Sequence, residues 1–196
     1  MNTTSFVSSV KIKTIVCALS GLVLMPAQAT TTNLADALKQ GTINAQFRYR
    51  LENVDQDNSL QAATASTLRS RLTLQSGSWR HTKALFELDN VSSLDGERYN
   101  SGVNGNSDYS LITDPTGTDI NQAALLFTPN ENSQFTLGRQ RINLQNQRFI
   151  GSVGWRQNEQ TFDGVRLTQQ LGKQWLIDLS SLCLLYTSDA ADEGLG

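Results

Sequence analysis

The sequence contains little cysteine and histidine, which limits the chemistry it can support. Its two cysteines are Cys17, in an apolar amino-terminal stretch, and Cys183, near the carboxyl end, so residues 30–182 contain none. A disulfide scaffold and a thiolate metal site are therefore excluded in that region. The single histidine, His81, has no second imidazole to share a metal ion with, and we predict no metal and no cofactor.

Signatures of catalysis and of nucleic-acid binding are also missing. The segment Gly151-Ser152-Val153-Gly154 lacks the spacing of a nucleophile elbow. The chain has no glycine-rich phosphate loop and no basic stripe, and its formal net charge is -2. Loop acids such as Asp55, Asp57 and Asp114 show no EF-hand pattern, which favours solvated acids over calcium ligands. We predict that the chain is not an enzyme and has no nucleic-acid partner.

Only one long apolar run occurs, from Thr14 to Met25, and it is shorter than the roughly 20 residues that a membrane-spanning helix needs. Two lysines precede it, and Pro26 and the triplet Ala27-Gln28-Ala29 follow it. This order is typical of a secretory signal peptide, so we predict that residues 1–29 are removed after Ala29. Where the segment is still attached, we expect a helix detached from the rest of the fold.

From Thr42 onward, apolar and polar residues alternate with a period of two. Ile43, Phe47 and Leu51 fall on one face, whereas Arg48 and Arg50 fall on the other. Strands of about eight to eleven residues cross a bilayer when they are tilted. We predict seven such strands: Thr42–Glu52, Thr67–Gln75, Thr82–Val91, Ile120–Thr128, Gln134–Ile142, Phe162–Gln169 and Trp175–Ser181.

The predicted connections alternate between long and short. Residues 53–65, 92–118 and 143–160 are long and polar, whereas 77–81, 129–132 and 171–173 are short. In an outer-membrane barrel, short turns face the periplasm and long loops face outside.

Aromatic residues lie beside the short turns, where a girdle at headgroup level is expected: Trp79, Phe127, Phe135 and Trp175. A soluble β-sandwich would place them in its core, but it gives no reason for the loop alternation. We therefore predict an all-β fold, an antiparallel transmembrane β-barrel of outer-membrane type, with about seven strands in residues 30–182.

Residues 183–196 break the alternation without a turn and a returning strand. They resemble the translation of a sequencing-adapter read-through, so we assign them no structure or function. We expect the natural barrel to continue beyond the seventh strand, since an open sheet edge in lipid leaves backbone groups unpaired.

The polar face carries charges of both signs. Arg48, Arg50, Arg69 and Arg71 would point into the barrel, with Glu52, Glu87 and Asp89 across from them. An arginine ladder attracts carboxylate and phosphate groups. Alternatively, these arginines pair with the neighbouring acids in a hydrated interior.

A second basic run lies at the end of the fifth strand and in the loop after it, where Arg139, Arg141, Arg148 and Arg156 occur. Strict alternation places Arg139 and Arg141 on the apolar face, where a charge at mid-bilayer costs about 2 to 4 kcal/mol. Either a bulge near Gly138 turns them, or they lie above the membrane. The loop aromatics Tyr99, Tyr109, Phe149 and Trp155 would stack on sugars or pack the loops together, and we favour packing.

The stretch LGRQRINLQNQRFIGSVGWRQNEQTFDGVRLT, Leu137 to Thr168, together with LRSRLTLQSG and ALFELDNV, resembles the alginate-export family of outer-membrane porins. The resemblance covers residues 41–182 and implies a closed barrel of about eighteen strands with an arginine-rich lumen for an anionic polysaccharide. It also implies that residues 143–160 fold inward. The constriction set that it implies is Arg139, Arg141, Arg148, Arg156 and Arg166.

We therefore predict an outer-membrane channel of a Gram-negative cell, exported by its signal peptide, for passive diffusion of anionic solutes. Its partners would be outer-membrane lipid and an anionic saccharide or other small anion. A general or small-nutrient porin and a surface-binding adhesin remain alternatives, and the sequence leaves the oligomeric state open.

Overall fold

The computed structural model describes residues 10–19 and 32–186, and it is almost entirely β-structure. One short helix, α1, spans Leu34–Lys39, and Asn33 caps it by accepting a hydrogen bond from the backbone N–H of Ala35. The strands are β1 Val10–Leu19, β2 Thr42–Gln56, β3 Ala63–Gln75, β4 Thr82–Ser93, β5 Gly117–Asn130, β6 Ser133–Gln140, β7 Thr161–Leu171 and β8 Trp175–Tyr186.

All eight described strands form one antiparallel sheet in the order of the chain, from β1 to β8. Each strand pairs with the next, as in an up-and-down barrel, but the sheet does not close, and β1 and β8 are its edges. In the described residues, no helix is both long and apolar enough to cross a membrane. The seven predicted strands are confirmed as β2 to β8, and most of them extend further toward the long loops than predicted.

Burial in the sheet is the reverse of that in a soluble protein. Ile43 and Phe47 on one face of β2 are 77% and 54% exposed, whereas Arg50 on the other face is 2% exposed. The same apolar face continues through Leu72, Leu125 and Leu137, all exposed. An apolar surface of this extent indicates contact with lipid. We call the opposite side, which carries the arginines, the polar face.

The connections follow the predicted alternation except at the first pair. Residues 94–116 and 141–160 are long and 131–132 and 172–174 are short, but 57–62 and 76–81 both have six residues, because β2 and β3 extend into the predicted first long loop. The connections 76–81, 131–132 and 172–174 lie at one end of the sheet, and 57–62, 94–116 and 141–160 lie at the other. The 94–116 loop packs over the outer ends of β2 and β3 around a small apolar core of Val54, Ala63, Ala65, Tyr99 and Ile112. This loop is therefore anchored to the sheet rather than solvated.

One expectation for the ends of the chain was wrong. Val10–Leu19 forms an edge strand paired with Phe47–Gln56 of β2 rather than a detached helix, because its β-branched residues suit a strand and the edge of β2 offers unpaired backbone groups. Residues 183–186, to which the sequence assigned no structure, continue β8, and its pairing with β7 shifts register between Asp163 and Gly164. Residues 1–9, 20–31 and 187–196, with the predicted cleavage point after Ala29, lie outside the described residues.

Candidate functional site

Four arginines of β2 and β3 converge on the polar face. Alternation along each strand directs Arg48, Arg50, Arg69 and Arg71 to the same side, and Arg48 lies directly opposite Arg69 in the register. All four are buried. Buried guanidinium groups need counter-charges or several hydrogen-bond acceptors.

Most of these charges are neutralised by acids. Arg71 forms a bidentate pair with Asp89 of β4, with 2.7 Å from Nε to Oδ1 and 2.5 Å from Nη2 to Oδ2. Arg50 pairs with Glu52 on its own strand and lies 3.2 Å from Asp114 of the 94–116 loop. Of the two alternatives for the arginine ladder, pairing with acids is therefore what the structure shows for Arg50 and Arg71.

The 141–160 loop lies across the polar face and supplies the central acid, Glu159. Its Oε1 is 3.1 Å from Arg71 Nη1 and 3.4 Å from Arg69 Nη1, and its Oε2 is 2.6 Å from Arg141 Nε. Burial raises the pKa of Glu159, but Arg71 and Arg141 lower it further, so the pKa lies below its usual range. Glu159 is therefore held as a carboxylate and ties this loop to β3.

Glu87 of β4 is the second junction between the strands and this loop. Its Oε1 accepts hydrogen bonds from Arg141 Nη2 at 2.7 Å, Asn121 Nδ2 at 2.8 Å and Gln122 Nε2 at 3.1 Å. Arg141 thus lies on the polar face, whereas strict alternation placed it on the apolar face. The reason is that β6 ends at Gln140, so the next residue is free to turn inward.

Gln157 is a neutral bridge between the loop and two strands. Its side-chain Oε1 accepts from Arg48 Nε at 2.9 Å, and its Nε2 donates to the Thr67 hydroxyl at 2.9 Å and to the Thr67 carbonyl at 3.1 Å. Gln157 is 0% exposed. Among the described residues, Arg48 has no carboxylate within salt-bridge distance. Gln157 accepts from its Nε and the Gly154 carbonyl, at 2.8 Å, accepts from its Nη1, whereas Nη2 is buried without a hydrogen-bond partner among these residues.

Asp114 connects the two long loops. Its Oδ1 accepts the backbone N–H of Gln157 at 2.9 Å, and its Oδ2 faces Arg50. Burial raises the pKa of Asp114 above its usual value, although Arg50 and the Gln157 N–H act in the opposite direction. We call the whole set the arginine–acid cluster: Arg48, Arg50, Arg69, Arg71, Arg141, Glu52, Glu87, Asp89, Asp114 and Glu159.

Other arginines of the predicted set lie elsewhere. Arg139 continues the strand alternation, so it stays on the side of Leu137 and pairs with Asp163, its register partner on β7, at 2.8 Å. The implied place of Arg139 in the constriction is therefore corrected. Arg166 lies opposite the buried Thr136 but pairs with Asp178 of β8 at 2.9 Å, apart from the cluster.

The remaining two arginines lie on the 141–160 loop and contact aromatic rings. Arg148 is exposed, with its guanidinium 5.6 Å from the centre of the Phe149 ring. Arg156 lies 4.4 Å from the centre of the Trp155 ring, and its Nη1 is 3.9 Å from Glu52 Oε2. They are the least neutralised cations of the loop.

Residues 39–188 match the model of the family described as Alginate export. The chain belongs to the alginate export family. This family comprises outer-membrane transport channels rather than enzymes, in agreement with the open antiparallel sheet and its exposed apolar face. Neither the curated proteins nor the solved structures give a match.

In this member of the alginate export family, three residues that organise the polar face were not predicted as site residues: Asp114, Gln157 and Glu159. Asp114 was grouped with the solvated loop acids, and the other two lie in a segment whose arginines, aromatics and Gly151–Gly154 motif were considered but whose glutamine and glutamate residues were not. One available signal is that Glu159 is an acid in a loop otherwise rich in arginine, so an inward-folding loop would pair it with the polar face.

Proposed function

We propose that the protein is a passive outer-membrane channel for anionic solutes, with an alginate-like polysaccharide or oligosaccharide as its solute. The observation that carries this proposal is the 141–160 loop, which is tied to the polar face through Gln157 and Glu159. In a closed barrel the polar face lines the channel, and a loop held there narrows it.

The charge distribution supports an anionic solute. Five arginines and five acids of the arginine–acid cluster balance each other, so the cluster itself attracts anions only weakly. The surplus positive charge lies on the loop, at Arg148 and Arg156. Guanidinium groups at a constriction lower the barrier for carboxylates, and nearby acids keep the residence of the solute short.

The same balance is the observation that favours the alternative, a general or small-nutrient porin. A lumen with paired charges discriminates weakly between ions, whereas a lumen with unpaired charges of one sign discriminates strongly. The alternatives differ in how much selectivity depends on the two loop arginines.

The test is the reversal potential of the full-length protein in a planar bilayer across a KCl gradient, with and without uronate oligomers. We expect anion selectivity and block by the oligomers, both reduced in the double variant Arg148→Gln/Arg156→Gln. The matched control is Lys173→Gln, because Lys173 is an exposed cation in a short turn and its loss should change neither quantity.

Cation selectivity of the unaltered channel, or conductance indifferent to uronate oligomers, would overturn the proposal in favour of the general porin. Variants of the buried arginines are less suitable for this test, because removing one member of a buried ion pair disturbs the loop as well as the charge.

A further inference from the structure

The four aromatic residues of the long loops divide into two groups. Tyr99 is fully buried, and Tyr109 packs against the same small core, so both hold the 94–116 loop together. Trp155 and Phe149 are 60% and 91% exposed. Packing therefore accounts for the two tyrosines and leaves the two aromatics of the 141–160 loop unexplained.

The backbone that carries Trp155 is held in place on both sides. Arg50 Nη1 donates to the Trp155 carbonyl at 3.0 Å, and Arg48 Nη1 donates to the carbonyl of the preceding Gly154 at 2.8 Å. Two residues further along, the buried Gln157 fixes the loop to β3. An exposed ring on a fixed backbone is preorganised for binding, because little conformational entropy remains to be lost.

The surroundings of the ring are cationic. Arg156 and Arg50 place their guanidinium carbons 4.4 Å and 5.2 Å from the centre of the Trp155 ring. Arg50 is engaged by Glu52 and Asp114. Nη1 of Arg156 is buried and lies 3.9 Å from Glu52 Oε2, but within the described part of the chain no hydrogen bond engages Nε or Nη2 of Arg156. These two donors are therefore available for a carboxylate on a ligand.

We propose that Trp155 is a stacking site for one pyranose ring of an anionic saccharide, and that Arg156 donates hydrogen bonds to the carboxylate of the same sugar. The C–H face of a pyranose is apolar and matches an indole ring, while the carboxylate at its edge matches a guanidinium. This inference rests on the proposed function and adds a residue that recognises the sugar ring rather than its charge.

Phe149 lacks the features that support Trp155. It lies at the tip of the loop between Gln147, with a φ of 59°, and Ile150, whose carbonyl accepts from Leu144 N–H. Among the described residues, no strand side chain donates to its carbonyl. It is therefore the matched control: an exposed aromatic on the same loop, beside an arginine, but without a strand side chain bonded to its carbonyl.

The experiment measures the residence time of uronate oligomers in single channels of the full-length protein, with the KCl conductance recorded in parallel. We expect Trp155→Leu, which keeps an apolar side chain but has no ring, to shorten the residence time about tenfold. Trp155→Phe should restore most of it, and Phe149→Leu should leave it unchanged.

Residence times in Trp155→Leu equal to those of the unaltered channel, or shortened equally by Phe149→Leu, would overturn the stacking site. If the unaltered channel is not blocked by uronate oligomers at all, the proposed function has failed. If it is blocked and Trp155→Leu is blocked equally long, only the stacking site has failed.

Discussion

Gln157 and Thr67 lie 90 residues apart in the chain, yet Nε2 of the glutamine is 2.9 Å from the hydroxyl of the threonine, and both residues are fully buried. This contact fixes the 141–160 loop on β3. Because the amide also bonds Arg48, one neutral side chain is a partner of a guanidinium Nε and of a strand carbonyl at the same point. Loop position and arginine burial are thus coupled.

Gln157→Ala should release the 141–160 loop from the polar face. The substitution leaves Arg48 Nε and the Thr67 carbonyl without their partner, which costs about 2 kcal/mol. Hydrogen exchange of the loop backbone in the full-length protein should become faster, and the pore conductance should rise. Gln160→Ala is the control, because Gln160 bonds Ser152 through its backbone N–H. Equal exchange in both variants would contradict the bridging role.

Glu159→Gln should weaken the attachment of the loop more strongly. The amide cannot neutralise Arg71 and Arg141, and an uncompensated buried charge costs about 3 kcal/mol or more. Unfolding by denaturant in detergent should show the loss in stability. Glu131→Gln, in an exposed turn, is the matched control and should leave the unfolding midpoint unchanged. A midpoint for Glu159→Gln as high as that of the control would contradict this role.

Acidification should loosen the loop through Glu159 and not through Asp114. The pKa of Glu159 is lowered, so the ionised carboxylate contributes its full stabilisation above the ordinary pKa of a glutamate. This stabilisation is lost as the pH falls toward the lowered pKa. The pKa of Asp114 is raised by burial, so its protonated form is the one that folding favours, and ionisation weakens folding as the pH rises. Acidification should therefore speed hydrogen exchange of the loop in the unaltered protein, and this acid-induced increase should be absent in Glu159→Gln.

Asp114→Asn provides the comparison for that pH profile. Since folding already favours the neutral carboxyl at this position, the amide should cost less stability than Glu159→Gln, and the acid loosening of the loop should persist. An acid transition that disappears in Asp114→Asn and persists in Glu159→Gln would reverse the assignment.

Gly138→Ala should destabilise the sheet. Gly138 has a φ of 115°, and a Cβ there would lie 2.3 Å from the carbonyl oxygen of Ala123 on β5. Backbone strain and this overlap together should cost about 3 kcal/mol or more. Gly96→Ala separates the two effects, because φ is also positive there but no atom lies within 4 Å, and about 1 kcal/mol is expected. The denaturation midpoint is the measurement, and equal losses would show that strain alone acts.

The period-two pattern predicted β2 to β8 and the order of their pairing, because short turns such as 131–132 force neighbouring strands to lie side by side. It also predicted that Arg48 and Arg71 share one face, since alternation is a property of each strand alone. Strand ends were less well predicted. β2 runs four residues beyond its predicted end at Glu52, because contacts with the 94–116 loop bury Val54.

The local sequence pattern did not predict which partners Arg141 and Asp114 have. Arg141 follows the same alternation as Arg139 in the sequence, but β6 ends between them, and only Arg141 turns to Glu87 and Glu159. Likewise, nothing local distinguishes Asp114 from the solvated acids of its loop until Gln157 and Arg50 are placed beside it.

The sequence by itself thus determined the strands, their order, the apolar face and the composition of the polar face, because these depend on alternation and on turns of a few residues. Tertiary structure alone decided that the arginines are paired with acids, that Gln157 and Glu159 hold the loop, and that Trp155 remains exposed. The reason is that the contacts of Gln157 and Glu159 with β3 join residues about 90 positions apart, so they depend on the path of the loop across the sheet.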